Sequence, residues 1–378
     1  MKPDYIISDN LIFSPADVDL SKSPLRVGLT EATYVLGAFN PGLCRLPNGN
    51  LLLMVRIAES LSNPVKNERA CSIRWTANGY KTDSWPLSEV SMKDPRKFRI
   101  NAFDFPVYAL TSLSWLLPVE LNKDASAIIK IHYDKIIAPQ NTNQEYGIED
   151  PRISFIHGRY YMTVCSVSSE RHSTMLYDSD DGLTYEYRGI VLDHQNKDML
   201  LFEGKINNKY YALTRPLGEC YFATSPSSVY HPGASVHIAT SPDLLHWKPC
   251  NAPFLRARRS SLSNVKIGGG TPPILTAEGW LMLYHGVENK GDVGIYRTFW
   301  ALLNPGNPIH ILHLEDHTPL LESNPILTKN ISDRIYLKDV VFTTGIVRNK
   351  EDFIIASGEL DLACRITVIN QNYFKLFS

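Results

Sequence analysis

The sequence has little excess charge of either sign, no close pair of cysteines and no long apolar run, and each absence excludes a class of function. Lys and Arg number 38 against 39 Asp and Glu, a formal net charge of −1 over 378 residues. Such a chain carries no overall field that would draw it to DNA, RNA or an anionic membrane. A neutral partner such as a sugar suits it better. The six cysteines (Cys44, Cys71, Cys165, Cys220, Cys250 and Cys364) are far apart, with no C-x-x-C pair and no Cys/His group at zinc-ligand spacing. That argues for reduced thiols and against a metal site. The N-terminal MKPDYIISDN lacks the basic and apolar regions of a secretory signal, and no apolar run approaches the ~20 residues of a membrane span. The expectation is a soluble, cytoplasmic protein. Amphipathic helices are also scarce, because 24 Pro and 22 Gly are spread along the chain and most apolar runs are short and rich in β-branched or aromatic residues. No Ser/Gly linker divides the chain.

What is present is a repeated phrase, a turn with Gly or Asn followed by four or five aromatic and aliphatic residues. It occurs as NGNLLLMV (48–55), HGRYYMTV (157–164), NNKYYALT (207–214), EGWLMLYHG (278–286) and KEDFIIASG (350–358). A second phrase interleaves with it, SDDGLTYEY (179–187) and SPDLLHWKP (241–249), with NKDASAIIKI (122–131) as a degenerate relative. Each places Asp in a tight turn before a strand, as in a hairpin. Spaced repeats of this kind predict an all-β fold, a five-bladed β-propeller with insertions, over one domain 1–378 whose first ~30 residues form an irregular arm or closing strand.

Polar clusters adjoin these strands at FNPGL (39–43), VRIAES (55–60), NKD (122–124), YGIEDPR (146–152), NKDMLLFEGK (196–205), GGGTPP (268–273) and YHGV (284–287). Loops of successive blades converge at one end of a propeller, so distant clusters can build one pocket. The run GGG at 268–270 lacks the Lys-Ser/Thr of a Walker loop and the spacing of a dinucleotide site. A close backbone approach explains it more simply.

With FNPG, LLLMVRIAE, TSLSWLLPVELNKD, YGIEDPRI, NKDMLLFEGKI, YYALTRP, KIGGGTPPI, EGWLMLYHGV and IYRTFWALLNP in this order, the chain resembles glycoside hydrolase family 130, the β-mannoside phosphorylases and mannosidases. The resemblance implies a five-bladed propeller and a single inverting displacement at mannose, an Asp supplying the leaving-group proton. Phosphate, or water in the hydrolytic members, attacks from the opposite face. It implies no bound cofactor and no metal, with inorganic phosphate as co-substrate. It places the proton donor at Asp124 in NKDAS, for which the competing reading is a turn-forming Asp. It further implies phosphate ligands at Arg56, Arg152, Lys197, His285 and Tyr296, and sugar-hydroxyl ligands at Asn40, Asp150, Asp198 and Asp361. The competing reading of Asp150 and Arg152 is a structural pair bracing the turn at Pro151. Asp104 could grip a sugar, although a capping or turn role suits it better. A hydrolase would need a carboxylate base, for which Glu203 and Glu170 are available. The expected partner is a small carbohydrate, with no nucleic acid and no membrane, and a homo-oligomer is left open. Three readings follow: an inverting β-mannoside phosphorylase yielding α-mannose 1-phosphate, an inverting β-mannosidase, and an inactive propeller that binds glycan or protein. Departures from the family at NKDAS, FEGK and SGELD favour the last.

Overall fold

The five copies of the apolar phrase become five equivalent strands, Leu51–Leu61, Arg159–Val167, Lys209–Pro216, Gly279–Glu288 and Asp352–Glu359. The computed structural model describes residues 3–192, 194–217, 225–291 and 293–375; Cys220 lies outside them, and the other five cysteines are free thiols. Each of the five strands is second in an antiparallel group. The first strands are Thr33–Arg45, Gly147–Ile156, Asn196–Ile206, the pair Lys266–Gly269 and Ile274–Thr276, and Val341–Asn349. The third strands are Ser112–Leu121, His172–Ser179, His237–Ser241, Ile295–Leu303 and Ala363–Asn370. Ile128–Ile131, Glu186–Leu192, Lys248–Pro249 and Ile311–Glu315 complete the first four groups. The N-terminal strand Ile6–Phe13 completes the fifth by pairing with Ala363–Asn370. Of the stretch expected as an irregular arm or closing strand, residues 6–13 form a strand of this sheet. A single parallel bridge, Ser114 to Gly147, links the first two groups into one eight-stranded sheet.

The second strands are apolar on both faces because both faces are covered. Leu51, Leu53 and Val55 pack with Ile354 and Ile366 of the fifth group, while Leu52 and Met54 pack with Ile148 and Met162 of the second. Further apolar clusters join the second group to the third, the third to the fourth and the fourth to the fifth. A strand buried on both sides reads as a continuous apolar run instead of an alternating one, which is why these phrases stand out.

The turns from third to fourth strand repeat as well. Asp181 Oδ1 accepts from the N–H groups of Leu183 and Thr184, Asp243 Oδ1 from those of Leu245 and His246, and Asn304 Oδ1 from those of Gly306 and Asn307. Asp124 sits in the corresponding turn of the first group, where its Oδ1 accepts from Ser126 N at 3.1 Å and from Ser126 Oγ at 2.7 Å. The opposite end of the groups carries the connections from second to third strand. The largest of these, residues 62–111, holds two small sheets, Val65–Lys66 with Arg69–Thr76 and Gly79–Pro86, and Val90–Asp94 with Lys97–Ile100 and Val107–Leu110.

The N- and C-terminal parts are riveted by charge. Asp9 on Ile6–Phe13 takes both Nε and Nη2 of Arg365 at 2.7 and 2.8 Å, and Arg365 also meets Glu359 at 2.9 Å. Arg365 is buried, so stripping one partner leaves a poorly compensated charge, a loss of about 3 kcal/mol. Asp9→Ala should lower the urea midpoint accordingly. Among the described residues no helix is long and apolar enough to cross a membrane.

Candidate active site

Three first strands carry the same local irregularity. The pairing register slips between Phe39 and Gly42, between Glu149 and Arg152, and between Lys197 and Leu200. In each slip a non-glycine residue adopts a left-handed backbone: Asn40 at φ 48°, Asp150 at φ 48° and Asp198 at φ 51°. Asn and Asp accept this conformation more readily than other side chains, and a bulge re-aims the residue that it carries. Asp361, between the second and third strands of the fifth group, is left-handed too, at φ 50°. The repeated bulge thus presents a short polar side chain from successive first strands. Small neighbours make room: a Cβ on Gly358 would lie 2.0 Å from Asn40 Oδ1.

Asp150 is the hub. Its Oδ1 accepts from Asn40 Nδ2 at 2.9 Å and from Arg56 Nη1 at 3.0 Å. Arg56 also meets Glu149 at 2.8 Å and donates from Nε to Ser114 Oγ at 3.0 Å, and Lys197 Nζ closes on the other oxygen of Glu149 at 3.0 Å. Burial alone would raise the pKa of Asp150, but Arg56, Arg152 and Lys197 outweigh it and bring the value down to about 2. For Glu149 burial is likewise outweighed by Arg56 and Lys197, and its pKa falls.

Beside this hub lies a cationic wall. Arg215 Nε meets Asp198 Oδ2 at 3.0 Å, and Arg215 Nη1 is 3.4 Å from His285 Nε2. The His285 ring stacks near Tyr296 and Phe342, and Lys266 Nζ lies 4.9 Å from the centre of the Tyr296 ring. Burial, with Arg215, Lys266 and Arg152 nearby, pushes the His285 pKa well below its ordinary value, so the imidazole is neutral. Burial and the charges of Arg215 and Lys197 bring Lys266 down to about 7. The GGG run serves this packing as expected: a Cβ would meet His285 Cε1 at 2.4 Å from Gly268 and Leu200 Cδ1 at 1.9 Å from Gly269.

The structure therefore gathers Asn40, Arg56, Asp150, Arg152, Lys197, Asp198, His285, Tyr296 and Asp361 into one region. It does not gather the others. Asp124 is exposed in its turn, at the opposite end of the strand whose Ser114 touches Arg56. The seven residue-to-residue steps from Ser114 to Leu121 span roughly 23 Å. Hydrogen bonds from the side chain and backbone of Ser126 lower its pKa, the wrong direction for a proton donor. The assignment of Asp124 as acid is therefore corrected: it is the turn residue of a repeat shared with Asp181 and Asp243. Glu203 is paired with Arg348 at 3.3 Å near that same remote end, and Glu170 is exposed in the connection 168–171. Asp104 is exposed at the tip of the 62–111 insertion. Arg152, though central, is buried and committed: its Nε donates to Gly270 O at 2.6 Å, its Nη1 to Asp150 O at 2.8 Å, and its Nη2 lies 3.5 Å from Asp198. Sequence reasoning missed Glu149, Arg215 and Lys266. The last two stand inside YYALTRP and KIGGGTPP, where a single cation among apolar residues was the available signal. Departures from the family at NKDAS and FEGK lie away from this region, and SGELD keeps its Asp within it.

Residues 117–376 match the model of glycoside hydrolase family 130, described as beta-1,4-mannooligosaccharide phosphorylase. The chain belongs to this family. A beta-1,2-mannobiose phosphorylase of Listeria innocua is 31% identical over 365 residues, covering 94% of this chain and 93% of its own. A beta-1,4-mannooligosaccharide phosphorylase of Ruminococcus albus is 32% identical over 167 residues, 43% of this chain and 45% of its own. The structure of the Listeria innocua beta-1,2-mannobiose phosphorylase in complex with beta-1,2-mannobiose superimposes with a TM-score of 0.80 at 27% identity, over 97% of this chain and 98% of that one. A structure from Bacteroides thetaiotaomicron shares the fold with a TM-score of 0.67 at 18% identity, over 99% of this chain and 97% of that one. Membership makes the chain a glycoside-active enzyme of the mannoside phosphorylase and glycosidase family, an enzyme of carbohydrate metabolism.

Proposed function

We propose that the protein cleaves a β-mannoside by inverting phosphorolysis, in the channel of a five-bladed propeller whose blades are the five strand groups. The blade reading rests on the five apolar clusters, each joining successive groups and one joining the fifth to the first. The Listeria innocua relative supports β-1,2-mannobiose as the first substrate to test.

The observation that carries phosphorolysis is the charge of the region. Arg56, Arg96, Arg152, Lys197, Arg215 and Lys266 face Glu149, Asp150, Asp198 and Asp361, an excess of two positive charges when Lys266 is protonated and the four carboxyls are ionised. A phosphate dianion balances that excess. Lys197, Arg215, Lys266, His285 and Tyr296 are its proposed ligands. Arg56 and Arg152 have their nitrogens engaged and act instead as supports for the carboxylates. Water as nucleophile would need a general base opposite the acid; Glu203 is instead paired with Arg348 at 3.3 Å, and Glu170 is exposed.

Proton delivery is assigned to Asp150. A phosphate oxygen forms the new bond to the anomeric carbon while the bond to the leaving sugar breaks, and the leaving oxygen takes the proton, in part by way of a sugar hydroxyl. In the free protein Asp150 is ionised. Phosphate offsets the Lys197 and Arg152 charges that depress its pKa, so phosphate binding favours the protonated carboxyl that the step requires. Asn40, Asp198 and Asp361 are assigned to sugar hydroxyls. The test is incubation with β-1,2- and β-1,4-linked mannosides with and without phosphate. Phosphate-dependent α-mannose 1-phosphate is expected; free mannose without phosphate would make the protein a hydrolase, and no product from any mannoside would leave a binding protein.

A further inference from the structure

The insertion 62–111 lies before the family-matched residues 117–376, yet one of its turns reaches into the site. Strands Val90–Asp94 and Lys97–Ile100 are joined through Pro95 and Arg96. That turn is tied to the body of the protein: Thr111 N donates to Arg96 O at 3.0 Å and Thr111 Oγ1 to Pro95 O at 2.7 Å. Thr111 O in turn accepts from Ser60 Oγ at 2.6 Å. Asp94 aims the guanidinium, its two oxygens taking Nε and Nη2 of Arg96 at 3.0 Å each and Oδ1 also taking Arg96 N at 3.0 Å. The remaining nitrogen, Nη1, lies 3.4 Å from Asp361 Oδ2. Tyr336 holds the backbone of the same residue, donating to Asp361 O at 2.7 Å.

We infer that Arg96 is a positioning residue for the mannoside, acting through Asp361, and that the insertion completes the sugar site. The inference rests on the reading of Asp361 as a sugar-hydroxyl ligand. A carboxylate in a left-handed turn has little side-chain reach, so its direction is set by what holds its free oxygen. Arg96 supplies that hold from an element outside the five strand groups. It also holds back the rise in the Asp361 pKa: burial raises it, Arg96 and Arg56 oppose this in part, and Asp150 adds to the rise, so the net direction is upward. Tyr336 and Tyr296 also face the Arg96–Asp361 pair. A charged Asp361 accepts from two sugar hydroxyls, and a protonated one loses part of that capacity.

Arg96→Gln should raise the KM for mannoside about tenfold or more and leave the KM for phosphate within about twofold. The acidic limb of the pH profile should move up by about one unit, because a carboxyl deprived of its cation takes a proton at higher pH. Arg96→Lys should recover part of the loss, and Asp94→Asn should reproduce it in weaker form. Adding Arg96→Gln to Asp361→Asn should cost little beyond the single change, since neighbours acting as one unit are not additive. Unchanged mannoside KM and acidic limb in a folded Arg96→Gln protein, or full additivity with Asp361→Asn, would overturn the inference. The same cycle read by thermal unfolding tests the pair without turnover. Failure of the wild-type protein to act on any mannoside is a separate result, which overturns the assignment of function.

Discussion

Asp150→Asn is expected to lower kcat for mannoside phosphorolysis by about 10²- to 10⁴-fold, the range for loss of a general acid, whereas Asp124→Ala should keep activity within about twofold of wild type. The amide retains the shape of the carboxylate and can still accept from Asn40 and Arg56, so KM values should change far less than kcat. The pH dependence carries a sign. Asp150 has a pKa of about 2 in the free protein, so its protonated form is scarce at neutral pH. In the complex with phosphate the neighbouring cations are offset, the pKa rises, and kcat should fall as pH climbs through the raised value. This alkaline limb should be absent from the residual rate of Asp150→Asn. Equal rates for Asp150→Asn and wild type would remove the assignment, and a loss at Asp124→Ala equal to that at Asp150→Asn would restore the turn residue as a candidate.

The second large effect is expected at Lys266. Lys266→Met should raise the KM for phosphate by about 10²-fold, since a hydrogen bond between charged groups contributes about 1.5–3 kcal/mol, while the KM for mannoside changes little. Stability should move the other way. No carboxylate pairs with Lys266 in any ion pair found among the described residues, and its pKa is brought down to about 7 by burial and by Arg215 and Lys197. A lysine whose pKa falls on folding binds fewer protons folded than unfolded between that value and its ordinary one, so stability rises with pH through this window. Methionine removes both the penalty and the slope. The variant should be more stable than wild type at pH 7, by on the order of 1 kcal/mol, with the gain shrinking toward pH 10. Urea unfolding at several pH values, with phosphate omitted, measures it. A loss of stability at Lys266→Met would mean that the ammonium is compensated in the folded protein. Gain in stability with loss of ligand is the usual exchange at a site built of uncompensated charge.

Much of this architecture can be read along the chain because its cause is local. LLLMV, YYMTV, YYALT, LMLYHG and FIIAS are predominantly apolar runs, and each became part of the second strand of a group, covered on both faces. The Asp turns are legible for the same reason: a short carboxylate that accepts from its own backbone two and three residues on needs no tertiary partner. That rule applied to NKDAS as much as to SDDG and SPDL, and the competing reading of Asp124 as a turn residue was the physical one. EDPR and NKDML signalled a site, but which of their side chains face it depends on the bulges at Asp150 and Asp198. A register slip of one residue turns a strand residue to the other face, and nothing along the chain marks where it occurs.

By itself, then, the sequence determined that the chain is all-β, where its five central strands lie, and which family it belongs to, because these follow from short-range pattern and from the order of motifs. Only the tertiary structure decided who meets whom. It put Glu149 between Arg56 and Lys197, set Arg215 against Asp198, left Lys266 without a carboxylate ion pair among the described residues, and brought Arg96 across 265 positions to Asp361. Apart from Arg215 with Asp198 inside the third group, those are interactions through space between separate elements, strand groups or the 62–111 insertion. Their strength depends on distance and burial, quantities that exist only once the groups have packed.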